Sequence, residues 1–88
     1  MAWLIRIDDA AQKDLEKIDK PIAKGITTFL RDRISVLENP RTIGEPLKSS
    51  RGELWRYRVG DYRLICEIND SAVCILVVKI GNRREVYR

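Results

Sequence analysis

The sequence predicts an α+β domain: an N-terminal strand, a two-helix hairpin, then a three-stranded antiparallel meander, with the helices packed on one face of the sheet. Three observations predict it. Apolar residues follow helical spacing from Ala11 to Leu37. From Leu54 onward they alternate with polar residues or run without a break, as strands do. Gly60-Asp61 separates two alternating runs, and glycine in the first turn position suits a type II′ hairpin.

Ala2 to Ile7 reads as a short apolar strand. Asp8 or Asp9 then caps a helix whose apolar positions are Ala11, Leu15 and Ile18. Asp19-Lys20 breaks it, and Pro21 suits the first turn of a second helix. That helix carries Ile22, Ile26, Phe29, Leu30, Ile34 and Leu37 on one stripe and stops at Asn39-Pro40. From Asn39 to Gly52 the chain reads as a loop anchored by Leu47. The hairpin that follows should pair Val59 with Tyr62, Arg58 with Arg63 and Trp55 with Cys66. Trp55, Tyr57, Leu64 and Cys66 then face the core, while Arg56, Arg58 and Arg63 share the other, uncovered face. Asn69-Asp70-Ser71 turns the chain into Ala72 to Ile80, apolar at nearly every residue and so expected to be central and covered on both faces. Gly81-Asn82 ends that strand before a basic tail from Arg83 to Arg88. With 88 residues, no repeat and no low-complexity stretch, one domain spanning 1–88 is expected.

Composition narrows the chemistry. No apolar run approaches the roughly 20 residues that span a bilayer and no signal peptide is visible, so a cytoplasmic chain is expected, without a membrane partner. The chain has no His and only two Cys, Cys66 and Cys74, which should be reduced and on opposite faces of the sheet. That argues against a zinc site, and no cofactor is expected. Lacking His, the chain also lacks the usual proton carrier near neutral pH. Residues 1–47 are balanced in charge, so the whole net charge of +4 lies in residues 48–88, which points to a polyanionic partner. Like charges placed opposite each other in a sheet are destabilising. Arg56, Arg58 and Arg63 therefore read either as an anion surface or as a solvated face balanced by Glu53, Glu67 or Glu85. Arg83 and Tyr87 in the tail bring a further cation and a phenol, a mixture suited to single-stranded nucleic acid. Lys48 and Arg51 in the loop and Arg84 in the tail are additional candidates for RNA backbone contacts.

The hairpin Trp55-Arg56-Tyr57-Arg58-Val59-Gly60-Asp61-Tyr62-Arg63, the apolar strand, and Gly81-Asn82-Arg83-Arg84-Glu85-Val86-Tyr87-Arg88 resemble the RelE toxins of bacterial type II toxin–antitoxin modules. The likeness spans the chain and implies a RelE-like, microbial-RNase-like fold. It implies a metal-independent mRNA endonuclease that cuts the codon in the ribosomal A site, so the ribosome and mRNA are expected partners. It also implies a cognate RelB-like antitoxin, seated in the groove between helices and sheet edge, whose complex with the toxin binds its own operator DNA. The family's basic cluster falls at Arg56, Arg58, Arg63 and Arg83, and its C-terminal tyrosine at Tyr87.

Two departures bear on mechanism. Relatives often carry Lys where Arg56 and Arg58 stand, and His or Lys where Asn82 stands. Arginine stays protonated far above neutrality, so Arg56 and Arg58 would serve by charge, on the scissile phosphate, and not as bases. The resemblance leaves Tyr87 to take the 2′-hydroxyl proton and Arg83 to neutralise the departing oxygen. Two other functions stay open: a ParE-like inhibitor of DNA gyrase on the same fold, and a non-catalytic nucleic-acid-binding module.

Overall fold

A computed structural model describes residues 2–49 and 52–82. Strand β1 (Leu4–Ile7) leads into helix α1 (Asp9–Glu16), then helix α2 (Lys20–Phe29). Asp8 caps α1, its carboxylate accepting from the Ala11 amide at 2.9 Å. Pro21 occupies the first turn of α2. The second helix does not continue regularly to Leu37, as its apolar stripe predicts. It widens into a π turn at Leu30–Ile34, closed by the Ser35 amide donating to the Leu30 carbonyl at 3.0 Å.

The segment read as a loop is partly a strand. A 3₁₀ turn at Pro40–Thr42 leads into β2 (Glu45–Ser49), which pairs antiparallel with β3 (Gly52–Val59). Its pairing with β3, and not its own residue pattern, makes it a strand, and Pro46 is tolerated because β2 is the sheet's edge. Strands β4 (Tyr62–Asn69) and β5 (Cys74–Asn82) complete the meander. The sheet order is β1-β5-β4-β3-β2, with β1 and β5 parallel and the other pairs antiparallel. Strand β4 is therefore the middle one, and β5 lies beside it.

The helices cover one face. Ala11, Leu15, Ile26, Leu30 and Ile34 meet Tyr57, Leu64, Cys66, Ile75, Val77 and Ile80, with Trp55 partly buried against them. On the other face Leu54, Ile65 and Val78 form a small second cluster with Leu47 and Leu76. Apolar packing on both sides explains the unbroken apolar run of β5. Cys66 lies in the helix-side core, and both thiols are free.

Two polar contacts hold the frame. Beyond Val77, where β1 pairing ends, the Ile80 amide donates to the Asp14 carboxylate at 3.1 Å. Arg41 forks onto Asp70, both bonds 3.0 Å, tying the 3₁₀ turn to the β4–β5 turn. No helix among the described residues is long and apolar enough to cross a membrane.

Candidate functional site

The site begins at the β3–β4 hairpin. Gly60 takes φ +58° and Asp61 keeps a negative φ, as a type II′ turn requires. That turn sets the register Val59–Tyr62, Arg58–Arg63 and Trp55–Cys66, as the sequence predicts. Directly opposed residues share a face, so Arg58 and Arg63 stand side by side on the side away from the helices.

The three arginines are not equally open. Arg58 is exposed. Arg63 is 4% exposed, and its guanidinium donates only a long bond to the Tyr62 carbonyl, 3.4 Å, among the described residues. The Arg56 side chain is 12% exposed and pairs with Glu45, its neighbour on β2. The face is thus partly packed, not the open surface expected. The carboxylate that meets Arg56 is Glu45, which comes from the strand the sequence pattern hid.

The register also brings in a cation that the sequence reading missed. Cys66 pairs with Val77 but Ile65 with Lys79, so β5 carries one extra residue, Val78, as a bulge. The bulge resets the alternation and aims Lys79 at the arginine face, opposite Ile65. Gly81 stands opposite Arg63. No local signal marks a bulge inside a continuous apolar run.

Lys48 is not brought to this cluster. It lies opposite Glu53 on β3, a position that alternates onto the helix side of the sheet. Arg51, Arg83, Arg84 and Tyr87 lie outside the described residues.

A cavity of about 370 Å³ opens where β3 runs past the start of β2. Arg33, Arg56, Arg58 and Glu45 line it together with Phe29 and Gly44. Its floor is fixed by three contacts. Tyr57 donates to the Pro40 carbonyl at 2.6 Å, and its ring meets Phe29 edge-on at 6.4 Å. Trp55 donates to the Ile43 carbonyl at 2.8 Å. Gly44, at φ +81°, lies so close that an added Cβ would sit 2.5 Å from the Arg56 carbonyl oxygen.

Proton carriers are scarce here. Burial pushes the Tyr57 phenol well above its ordinary range, and its hydroxyl is already engaged, so Tyr57 is no base at neutral pH. Burial likewise pushes the Cys66 thiol up and keeps it un-ionised. What the described residues offer is positive charge held in place, suited to phosphate oxygens.

A family model described as the ParE toxin of type II toxin–antitoxin system, parDE, matches residues 5–87. The chain belongs to the RelE/ParE family of type II toxins. The toxin RelE of Mycobacterium tuberculosis is 30% identical over 84 residues, taking in 96% of this chain and 84% of that protein. The mRNA interferase toxin RelE of Escherichia coli is 28% identical, over 99% of this chain and 92% of that one. The toxin–antitoxin complex RelBE2 of Mycobacterium tuberculosis contains a chain with the same fold, at a TM-score of 0.84 and 24% identity, covering 94% of this chain and 93% of that chain. For this RelE/ParE toxin, the arginine hairpin and the cavity at its edge are the candidate site.

Proposed function

We propose that this toxin is a ribosome-dependent endoribonuclease that cuts mRNA in the A site and so stops translation. The observation that carries the reading is the pairing of Arg58 with a buried Arg63 on the face away from the helices. Neither faces a carboxylate across the hairpin, so the arrangement costs folding energy that a bound phosphate would recover. The mRNA interferase name borne by the Escherichia coli relative agrees with it.

The reaction proposed is attack of a ribose 2′-hydroxyl on the adjacent phosphorus. The new P–O2′ bond forms as the P–O5′ bond breaks, leaving a 2′,3′-cyclic phosphate and a 5′-hydroxyl. Arg58 and Arg63, with Arg56 beside them, stabilise the charge that grows on the phosphoryl oxygens. Fixed cations of this kind can do the electrostatic work that a metal ion does in other nucleases. Tyr87 takes the 2′-hydroxyl proton and Arg83 assists the leaving 5′-oxygen. Tyr57 is unsuited to the first role, being buried, bonded to Pro40 and raised in pKa. With no efficient acid–base pair, the chain relies on the ribosome to align the RNA. A RelB-like antitoxin holds the toxin inactive, and their complex binds its own operator DNA.

The ParE description of the family model favours a second reading, inhibition of DNA gyrase on the same fold. A translation extract supplied with the purified toxin, with gyrase supercoiling measured in parallel, separates the two. Ribosome-dependent mRNA cuts with normal supercoiling support the nuclease. Lost supercoiling with intact mRNA supports the gyrase inhibitor.

A further inference from the structure

We propose that the cavity at the free edge of β3 binds a backbone phosphate of an RNA strand, with Arg33 and Arg58 as its ligands. The proposal rests on the nuclease reading and extends it: the RNA path does not stay on the sheet face but turns over the β3 edge towards the end of α2.

Three observations carry it. First, the cavity is charged for an anion. Three guanidinium groups and one carboxylate line its roughly 370 Å³, and Arg56 already holds that carboxylate, leaving Arg33 and Arg58 to face a ligand. Second, Arg33 has no structural employment. It is exposed and makes no ion pair among the described residues, because the neighbouring Asp32 is forked by Arg31. Third, the backbone is shaped to put Arg33 there. The π turn closes from Ser35 to Leu30, five residues back, so each residue advances less around the axis than in an α-helix. Arg33 is thereby swung off the buried stripe of Ile26, Leu30 and Ile34 and brought into line with Phe29, which lines the same cavity.

The test is steady-state cleavage on ribosomes programmed with a defined mRNA, comparing wild type with Arg33→Ala, Arg33→Lys and Arg33→Glu. Arg33 is exposed, so all three variants should fold, and circular dichroism checks this. Loss of one charge-assisted phosphate contact should raise KM about tenfold in R33A with kcat nearly unchanged. R33K should recover part of the loss, R33E should exceed it, and the salt dependence of KM should weaken in R33A. An mRNA with an uncharged methylphosphonate next to the cut site identifies the strand. If the R33A penalty vanishes on it, the phosphate belongs to mRNA; if the penalty persists, it belongs to ribosomal RNA. Either result supports the phosphate site. Wild-type KM and salt dependence in R33A, with cleavage lost in Arg58→Ala, overturn the cavity proposal and leave the nuclease reading standing. Absence of cleavage by the wild-type toxin overturns both.

Discussion

Arg58 on β3 stands directly opposite Arg63 on β4, and the two are treated differently: Arg58 is exposed while Arg63 is only 4% exposed. Arg56, two residues away, has Glu45 as its ion partner, but the described residues provide no carboxylate for Arg63. A buried charge with one long hydrogen bond is a stability cost, and a facing like charge adds to it.

Replacing that charge by an apolar side chain of similar length should therefore relieve the fold. Arg63→Met is expected to leave stability unchanged or raise it by up to about 2 kcal/mol, read by urea denaturation. Cleavage should fall below detection in the same variant. A destabilised R63M would show that Arg63 is there for packing.

The wall of the cavity should be intolerant of small changes. Gly44→Ala combines a left-handed φ of +81° with Cβ contacts of 2.5 Å to the Arg56 carbonyl oxygen, 2.7 Å to Trp55 Nε1 and 2.9 Å to Tyr57 Cδ1. It should cost about 2–4 kcal/mol. Tyr57→Phe strands the buried Pro40 carbonyl and should cost about 1–2 kcal/mol. Thermal melts of both variants check these values.

Much of this was legible because it is local. Gly60-Asp61 fixes the hairpin turn, and alternation does the rest, so the pairing of Arg58 with Arg63 follows from sequence alone. Asp8 and Pro21 likewise mark their helix starts by capping chemistry. What was hidden is set by partners distant in sequence. Strand β2 exists because β3 offers an edge, while the π turn at Leu30–Ile34 and the Val78 bulge follow no pattern of neighbouring residues. The roles of Glu45, Lys79 and Arg33 each depend on one of these, so none could be read from spacing. The expected tail groups Arg83, Arg84 and Tyr87 lie outside the described residues.

Val73 adopts φ +50°, the left-handed region, where a β-branched side chain is strained. Its carbonyl accepts from Leu4, anchoring β1, so the conformation is imposed by the sheet. Val73→Asn, a residue that tolerates this region, should stabilise the chain by about 1 kcal/mol, raising Tm by roughly 4–8 °C. A lower Tm would contradict this account of the turn.

Stability should fall at alkaline pH. Burial raises the Cys66 thiol and the Tyr57 phenol above their ordinary values of 9.0 and 10.0. The folded chain then keeps protons that the unfolded chain releases, so the stabilisation is complete below pH 9 and is lost as pH rises beyond it. Tm should be flat from about pH 7 to 9 and then decline. Cys66→Ala should flatten the onset of the decline and Tyr57→Phe its later part.

The measurement closest to the central claim is primer extension on mRNA held in ribosomes with a chosen codon in the A site. Wild-type toxin should create new 3′ ends within that codon, only when ribosomes are present, and Arg63→Met should create none while remaining folded. Intact mRNA with folded wild-type toxin, or undiminished cuts by Arg63→Met, would contradict the account.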